Sequence, residues 1–102
     1  MVKRGEIWWC ELDGGARPVL VLTRAEAIPL LTKVVCATIT SRIRSVPSEL
    51  PLGVDDGMPR ECVASFDNVA TVAKSDLKYR ISAISPQRLP ELCETLNIAL
   101  GC

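Results

Sequence analysis

The sequence contains no histidine among its 102 residues, and this absence excludes several kinds of catalytic site. Ser-His-Asp triads, Cys-His protease pairs and two-histidine ribonuclease mechanisms all need imidazole as an acid or a base. Zinc sites that use imidazole are excluded as well. Any catalysis must therefore use arginine, lysine, carboxylate, hydroxyl or thiol groups.

A net charge is also absent, because 12 Lys and Arg residues balance 12 Asp and Glu residues. A neutral chain does not coat nucleic acid by bulk attraction, but it can still carry a local basic patch. The charges are segregated: residues 17–44 carry five basic residues against Glu26, and residues 45–67 carry five acidic residues against Arg60. This segregation has two interpretations. In the first, which composition alone favours, the opposite charges pair with each other or are solvated at the surface. In the second, a basic rim holds phosphate beside an acidic loop.

Long hydrophobic runs and closely spaced cysteines are missing too. No apolar run approaches the length of a membrane span, and no basic-then-apolar signal segment opens the chain. The five cysteines include no CxxC pair, so we expect no zinc ribbon. We also expect no metal and no cofactor. We predict a single cytoplasmic domain over residues 1–102 with reduced thiols, in which three cysteines are small buried residues of strands: Cys10, Cys36 and Cys62.

The secondary-structure signals are mainly those of short strands followed by one helix. β-branched and apolar runs predict strands at 6–11, 18–24, 33–40, 52–54, 61–66 and 69–73. In this interpretation Asp67-Asn68 is a turn between the last two strands, and residues 25–31 form one helical turn. Closely spaced short strands predict a compact barrel or a strongly bent sheet.

The last segment has helical rather than strand periodicity. Its apolar residues recur at steps of three and four, at Leu89, Leu92, Cys93, Leu96 and Leu100. Ser85-Pro86 has the form of a helix start, although Pro90 allows the helix to begin later. Gly101 is a suitable end. We therefore expect a C-terminal helix whose apolar face docks on the sheet.

Arg17 and Thr40 are the candidates for chemistry. Arg17 follows a Gly-Gly turn and precedes Pro18 at the entrance of the second strand, and a planar guanidinium suits phosphate. Thr40 ends the next strand and is followed by Ser41 and Arg42. If these two strands pair antiparallel, both residues lie at the same end of the sheet.

Four segments in order resemble the MazF/PemK toxins of bacterial toxin–antitoxin modules: RGEIWW, GGARPVLVLT, ATITSR and PRECVASFDNVATVAKSDL. No one of them is decisive, but four in order within 102 residues are fairly specific. The resemblance implies a small SH3-like barrel of the CcdB-MazF type, with about five to seven short strands and a C-terminal helix, that forms a homodimer.

The resemblance also implies an activity. Similar toxins of type II systems are metal-independent, sequence-specific endoribonucleases that cleave single-stranded RNA, most often messenger RNA, with transfer or ribosomal RNA as alternatives. The catalytic pair carries over to Arg17 and Thr40, and the RNA 2′-hydroxyl attacks the adjacent phosphate to leave 2′,3′-cyclic phosphate and 5′-hydroxyl ends. The RNA-binding positions carry over to Ser41, Arg42, Arg44, Asp67 and Asn68. The implied partner is an antitoxin with an acidic, disordered C-terminal segment, similar to MazE.

One departure and two alternatives remain. Only Leu12 to Ala16 separate Glu11 from Arg17, whereas similar toxins often have a longer loop there, so we expect a more open groove that favours folded RNA. CcdB-like toxins share the architecture but bind gyrase through a C-terminal tryptophan, and this chain ends in Gly101-Cys102. The third alternative is an SH3-like interaction module without activity.

Overall fold

The computed structural model describes residues 1–101. Six antiparallel strands form one sheet in the order β4-β5-β3-β2-β1-β6. Their bounds are β1 Glu6–Leu12, β2 Gly15–Val21, β3 Lys33–Thr40, β4 Glu49–Leu52, β5 Cys62–Ala73 and β6 Leu77–Ala83. One helix, α1, spans Leu89–Leu100. The predicted class, mainly β with a C-terminal helix, is confirmed.

The two faces of the sheet carry separate apolar clusters, because side chains alternate along each strand. The inner cluster is covered by α1 and includes Ile7, Leu20, Leu50, Phe66 and Leu92. The outer cluster includes Cys10, Val19, Val21, Cys36 and Val72. Both sets are almost fully buried, and each large side chain contributes about 1.5–3 kcal/mol by leaving water.

The sheet curls into a half-barrel because a short turn joins its two edges. A 3-10 turn at Val54–Asp56 follows β4 and reaches β6, where Ser82 Oγ donates to the Asp56 carbonyl oxygen at 2.7 Å. Arg88, just before α1, donates to Asp56 Oδ1 at 2.8 Å and to the Pro51 carbonyl oxygen at 2.8 Å. These bonds tie the helix, the turn and both edge strands into one unit.

The strand predictions differ in accuracy. The predicted strand 6–11 lies within β1, but β2 begins at Gly15 and ends at Val21, so the predicted bounds 18–24 are wrong by three residues at each end. The predicted strand 33–40 coincides with β3, but β4 begins at Glu49, so the prediction at 52–54 is wrong. Residues 61–66 and 69–73 are one long strand, β5, and not two. The sequence interpretation missed β6, because this edge strand has exposed polar residues in its middle and no apolar run.

The helix and the cysteines follow the prediction closely. A 3-10 turn occupies Pro86–Arg88, and α1 begins at Leu89 with a proline in its first turn. Gly101 ends it with a φ of +74°, a conformation that glycine adopts without strain. Cys10, Cys36 and Cys62 are buried free thiols, as expected, and Cys102 lies outside the described residues. No helix within residues 1–101 is both long enough and apolar enough to cross a membrane.

Candidate functional site

A cleft of about 350 Å³ brings together most of the predicted site residues. Six of the seven line it, namely Arg17, Thr40, Arg42, Arg44, Asp67 and Asn68; Thr38, Glu49 and Ser65 line it as well. Ser41 is exposed in the adjoining loop and is not part of this lining. The cleft lies on the outer face of the sheet, where β2, β3 and β5 run side by side.

The pairing of β2 with β3 explains why Arg17 and Thr40 meet. Val19 lies opposite Thr38 in an antiparallel register. The paired residues run from there to Val21 and Cys36, and Arg17 and Thr40 lie two residues beyond the other end of this pairing. Alternation puts both on the face that carries Val19, and both line the cleft. The sequence argument from strand direction therefore predicted this proximity correctly.

A β-bulge brings Asp67 and Asn68 into the same cleft. Neighbouring residues of a regular strand point to opposite faces. In β5 the register changes, because Ala37 pairs with Val69 but Thr38 pairs with Ser65, so extra residues of β5 bulge out. Both side chains can then line one face, as bulges next to functional sites often allow. The predicted turn at these residues is therefore wrong, and the bulge takes its place.

Three hydrogen bonds hold the bulge in shape. Thr38 Oγ1 donates to the Asn68 carbonyl oxygen at 3.1 Å, and the Phe66 N–H donates to the Ser48 carbonyl oxygen at 3.0 Å. Ser48 Oγ also donates to the carboxylate of Asp67. Thr38 and Ser48 are buried polar residues, so they keep the position of Asp67 reproducible.

The hydroxyl of Thr40 is oriented by the backbone. The Arg42 N–H donates to Thr40 Oγ1 at 3.1 Å. This bond occupies one lone pair of the oxygen and leaves the O–H group available as a donor. Thr40 is half-buried at the cleft, so it can donate to an anionic oxygen bound there.

The arginines of the cleft are not neutralised from within the chain. Arg17, Arg42 and Arg44 are exposed, and none has an ion-pair partner among residues 1–101. The ion pairs within residues 1–101 lie outside the cleft. Arg80 pairs with Glu6, and Arg88 pairs with Asp56 and Glu91. The cleft therefore presents free guanidinium groups, the donors best suited to phosphate.

The buried thiols are not activated as nucleophiles. Burial raises the pKa of Cys36 to about 12, and it also raises the pKa of Cys10 and of Cys62 above the ordinary value. A reactive cysteine has a lowered pKa and an electropositive setting. These thiols have the packing role that the sequence predicted.

The chain matches the model of the PemK-like, MazF-like toxins of type II toxin–antitoxin systems over residues 3–100. It therefore belongs to this toxin family. It is 41% identical to the probable endoribonuclease MazF2 of Mycobacterium tuberculosis, with 99% of this chain and 100% of that protein covered. Its fold superposes on the M. tuberculosis toxin MazF-mt6 with a TM-score of 0.87, at 35% identity, covering 94% and 96% of the two chains.

A further solved structure shows a mycobacterial endoribonuclease in complex with its cognate antitoxin. The present chain is 26% identical to it and superposes with a TM-score of 0.89, covering 99% of this chain and 96% of that one. The expected MazF-type fold is thereby confirmed.

In this toxin of the MazF type, a second cleft of about 390 Å³ continues from the first. The two share Arg17, Thr38 and Asn68, and the second runs towards the turn between β1 and β2. Leu12 pairs with Gly15, so only Asp13 and Gly14 connect these strands. The expected short connection is present, and Asp13 and Gly14 line the second cleft.

The sequence interpretation missed several residues of this toxin's cleft. Thr38 had a usable signal, because it lies two residues before Thr40 and so shares its face. Ser48 and Glu49 had none, because their importance depends on contacts with the bulge and with the loop after β3, which only the folded chain brings together.

Proposed function

We propose that this chain is a metal-independent endoribonuclease that acts as the toxin of a type II toxin–antitoxin pair and cuts single-stranded RNA at particular sequences. The observation that carries this proposal is the cleft itself. It combines three unpaired arginines with an oriented hydroxyl from Thr40 and the side chains of Asp67 and Asn68. Guanidinium groups suit the phosphate, and carboxylate and amide groups suit the edges of unpaired bases.

The roles follow from the chemistry of the side chains. The RNA 2′-hydroxyl attacks the adjacent phosphorus and gives its proton to a base. The bond from phosphorus to the 5′-oxygen breaks, and that oxygen takes up a proton from an acid or from water. The products are a 2′,3′-cyclic phosphate and a 5′-hydroxyl end. A guanidinium keeps its protons, so Arg17 stabilises the negative charge that develops on the phosphoryl oxygens. Thr40 donates its O–H to one of those oxygens or orients the attacking hydroxyl.

The remaining residues of the cleft bind rather than react. Arg42 and Arg44, with Ser41 beside them, hold neighbouring phosphates along the loop after β3. Asp67 and Asn68 read base edges, and their fixed orientation on the bulge favours sequence selection. Only Asp13 and Gly14 connect β1 and β2 beside the groove, and this short connection is the reason for proposing unpaired loops of folded RNA as substrates alongside messenger RNA.

The same surface is the proposed site of inhibition. Free guanidinium groups attract acidic side chains as well as phosphates, so an antitoxin with an acidic, extended segment competes with RNA for the cleft. The proposed active form is a cytoplasmic homodimer, as the family resemblance implies. A neutral chain with a local basic cleft also keeps non-specific attraction to RNA weak.

The test is cleavage of RNA by the purified protein in the presence of a chelator. A mixed RNA pool is incubated with the protein, and the new ends are mapped and tested for 5′-hydroxyl and cyclic phosphate groups. We expect cuts at a short recurring sequence, with both end groups present. Cuts that appear only when a divalent metal replaces the chelator would contradict the mechanism, and an absence of cleavage in both conditions would favour a gyrase-binding toxin or a binding module.

A further inference from the structure

We propose that Glu49 is a positioning residue of the cleft, whose carboxylate holds the loop after β3 in the shape that binds RNA. The loop comprises residues 41–47 and carries Arg42 and Arg44. The proposal rests on the proposed ribonuclease function for its meaning, but the ordering of the loop can be tested without any RNA.

One oxygen of Glu49 organises the loop. Glu49 Oε1 accepts the backbone N–H of Arg44 at 3.0 Å and that of Ser45 at 3.0 Å. The Glu49 N–H in turn donates to the Val46 carbonyl oxygen at 3.0 Å. The chain therefore folds back around this side chain, and bonds to a charged acceptor are stronger than those between neutral groups.

The backbone of the loop shows that this shape is imposed. Ser45 has a φ of +58°, and it is the one non-glycine residue in residues 1–101 with a positive φ. Such a conformation is costly for a residue with a Cβ and persists where the surroundings enforce it. The two bonds to Glu49, one of them from Ser45 itself, supply that enforcement.

The burial and the charge of Glu49 indicate that it orders the loop and does not bind RNA directly. Glu49 is only 8% exposed although it is charged, so its carboxylate is committed to the chain. Its negative charge also lies in a cleft that we expect to bind phosphate, where it opposes binding. The benefit of Glu49 must then come from geometry, because its bonds keep Arg44 beside the cleft and reduce the ordering cost when RNA binds.

The first experiment measures amide hydrogen exchange in the wild-type protein without RNA. We expect the Arg44 and Ser45 amides to be protected, whereas the neighbouring Ile43 and Val46 amides, which have no hydrogen-bond acceptor among residues 1–101, exchange faster. Equal exchange at all four positions would overturn the proposal. This measurement needs no variant, so it decides the matter even if a substitution at Glu49 prevents folding.

The second experiment compares Glu49→Leu with Glu49→Gln. Leucine removes both bonds, whereas the glutamine amide oxygen can still accept both N–H groups. We expect Glu49→Leu to expose the two amides and to raise KM about tenfold, the equivalent of about 1.4 kcal/mol, with kcat little changed. Glu49→Gln should stay near wild type in exchange, in KM and in the pH profile of kcat.

A matched control is Glu61→Leu. Glu61 lies near Glu49 on a neighbouring apolar cleft, is exposed, and accepts no hydrogen bond within the described chain. The same substitution there removes an equal charge without removing a hydrogen bond to the loop, so exchange and KM should not change. An equal rise of KM in this control would show that the loss does not depend on the two hydrogen bonds of Glu49, and would contradict positioning by Glu49.

Two further outcomes keep the hypotheses apart. A Glu49→Gln protein that loses kcat, together with the acidic limb of its pH profile, would make Glu49 the general base and overturn a positioning role. Binding of an uncleavable RNA with a 2′-deoxy group at the cut site isolates affinity: Glu49→Leu should weaken it about tenfold, and unchanged affinity would count against the proposal. If the wild type cleaves no RNA, the proposed function fails, while hydrogen exchange still decides whether Glu49 orders the loop.

Discussion

Replacing Arg17 with alanine should separate catalysis from folding. The side chain lies at the centre of the groove, in the overlap of the two clefts. It is exposed and has no ion-pair partner in residues 1–101. The substitution therefore removes a donor to the reacting phosphate without breaking a contact that holds the sheet together.

The expected effect on catalysis and the expected effect on stability differ enough to be measured separately. Loss of one preorganised charge-stabilising donor costs about 3–4 kcal/mol of barrier, which lowers kcat by about 10²–10³-fold. An exposed residue without partners changes the free energy of unfolding by about 0.5 kcal/mol or less, and that shifts the Tm of a domain of this size by about 2–4 °C. Arg17→Lys keeps the charge but loses the planar fork, so we expect an intermediate rate.

The assay is single-turnover cleavage of a short RNA that contains the mapped site, in chelator and with protein in excess. Circular dichroism melts of the same samples check the fold. Cleavage by Arg17→Ala at a rate close to wild type would refute the assignment of Arg17. Loss of activity accompanied by a large fall in Tm would refute the claim that Arg17 is structurally dispensable.

Three further predictions test other parts of the chain. Thr40→Val should lower kcat about a hundredfold. Thr40→Ser keeps the hydroxyl that accepts the Arg42 N–H, so it should retain most activity in the same assay. Equal losses in the two variants would contradict a role for the hydroxyl. Cys36, whose pKa burial raises to about 12, should resist alkylation in the folded protein at pH 8–9. Because the unfolded thiol ionises first, the free energy of unfolding should fall as pH rises from about 9 towards 12, and a pH-independent value in that window would oppose this assignment. Gly57→Ala should lower the free energy of unfolding by about 2 kcal/mol in urea. Gly57 has a φ of +80°, and an added Cβ would lie 2.5 Å from Ser82 Cβ. Unchanged stability would contradict this prediction, because it would show that the turn accommodates the added methyl group without strain.

The sequence predicted those elements whose signals are local. Strand β3 could be recognised to the residue, because its run of apolar and β-branched residues is bounded by polar ones. Strand β6 could not, because an edge strand with one solvated side lacks such a run. The helix could be placed to within one residue of Pro90, because a proline in the first turn and a glycine after the last are local rules.

The residues of the cleft also differ in whether a local sequence signal predicts their position. Arg17 and Thr40 could be brought together from strand direction, since an antiparallel pair fixes which ends coincide. The common face of Asp67 and Asn68 could not, because it depends on a register change against β3 that no local pattern marks. A sequence of this kind thus predicts which side chains share a cleft more readily when strand direction brings them together than when a bulge does.

This difference between the strand residues and the bulge and loop residues has a physical cause. It bears on the proposed preference for particular RNA sequences. The two residues proposed for catalysis lie on central strands and are held by regular backbone pairing, Arg17 with Cys10 of β1 and Thr40 with Val63 of β5. The residues proposed to read bases and bind phosphates lie on a bulge and a loop. These are held by the side chains of Ser48 and Glu49 and, from β3, of Thr38. Substitutions there can alter which RNA is held while Arg17 and Thr40 keep their register, so we expect sequence preference to change more easily than the cleavage reaction. End-mapping of Ser48→Ala, which frees Asp67, tests this: altered cut sites with 5′-hydroxyl ends retained would support it, and unchanged cut sites would contradict it.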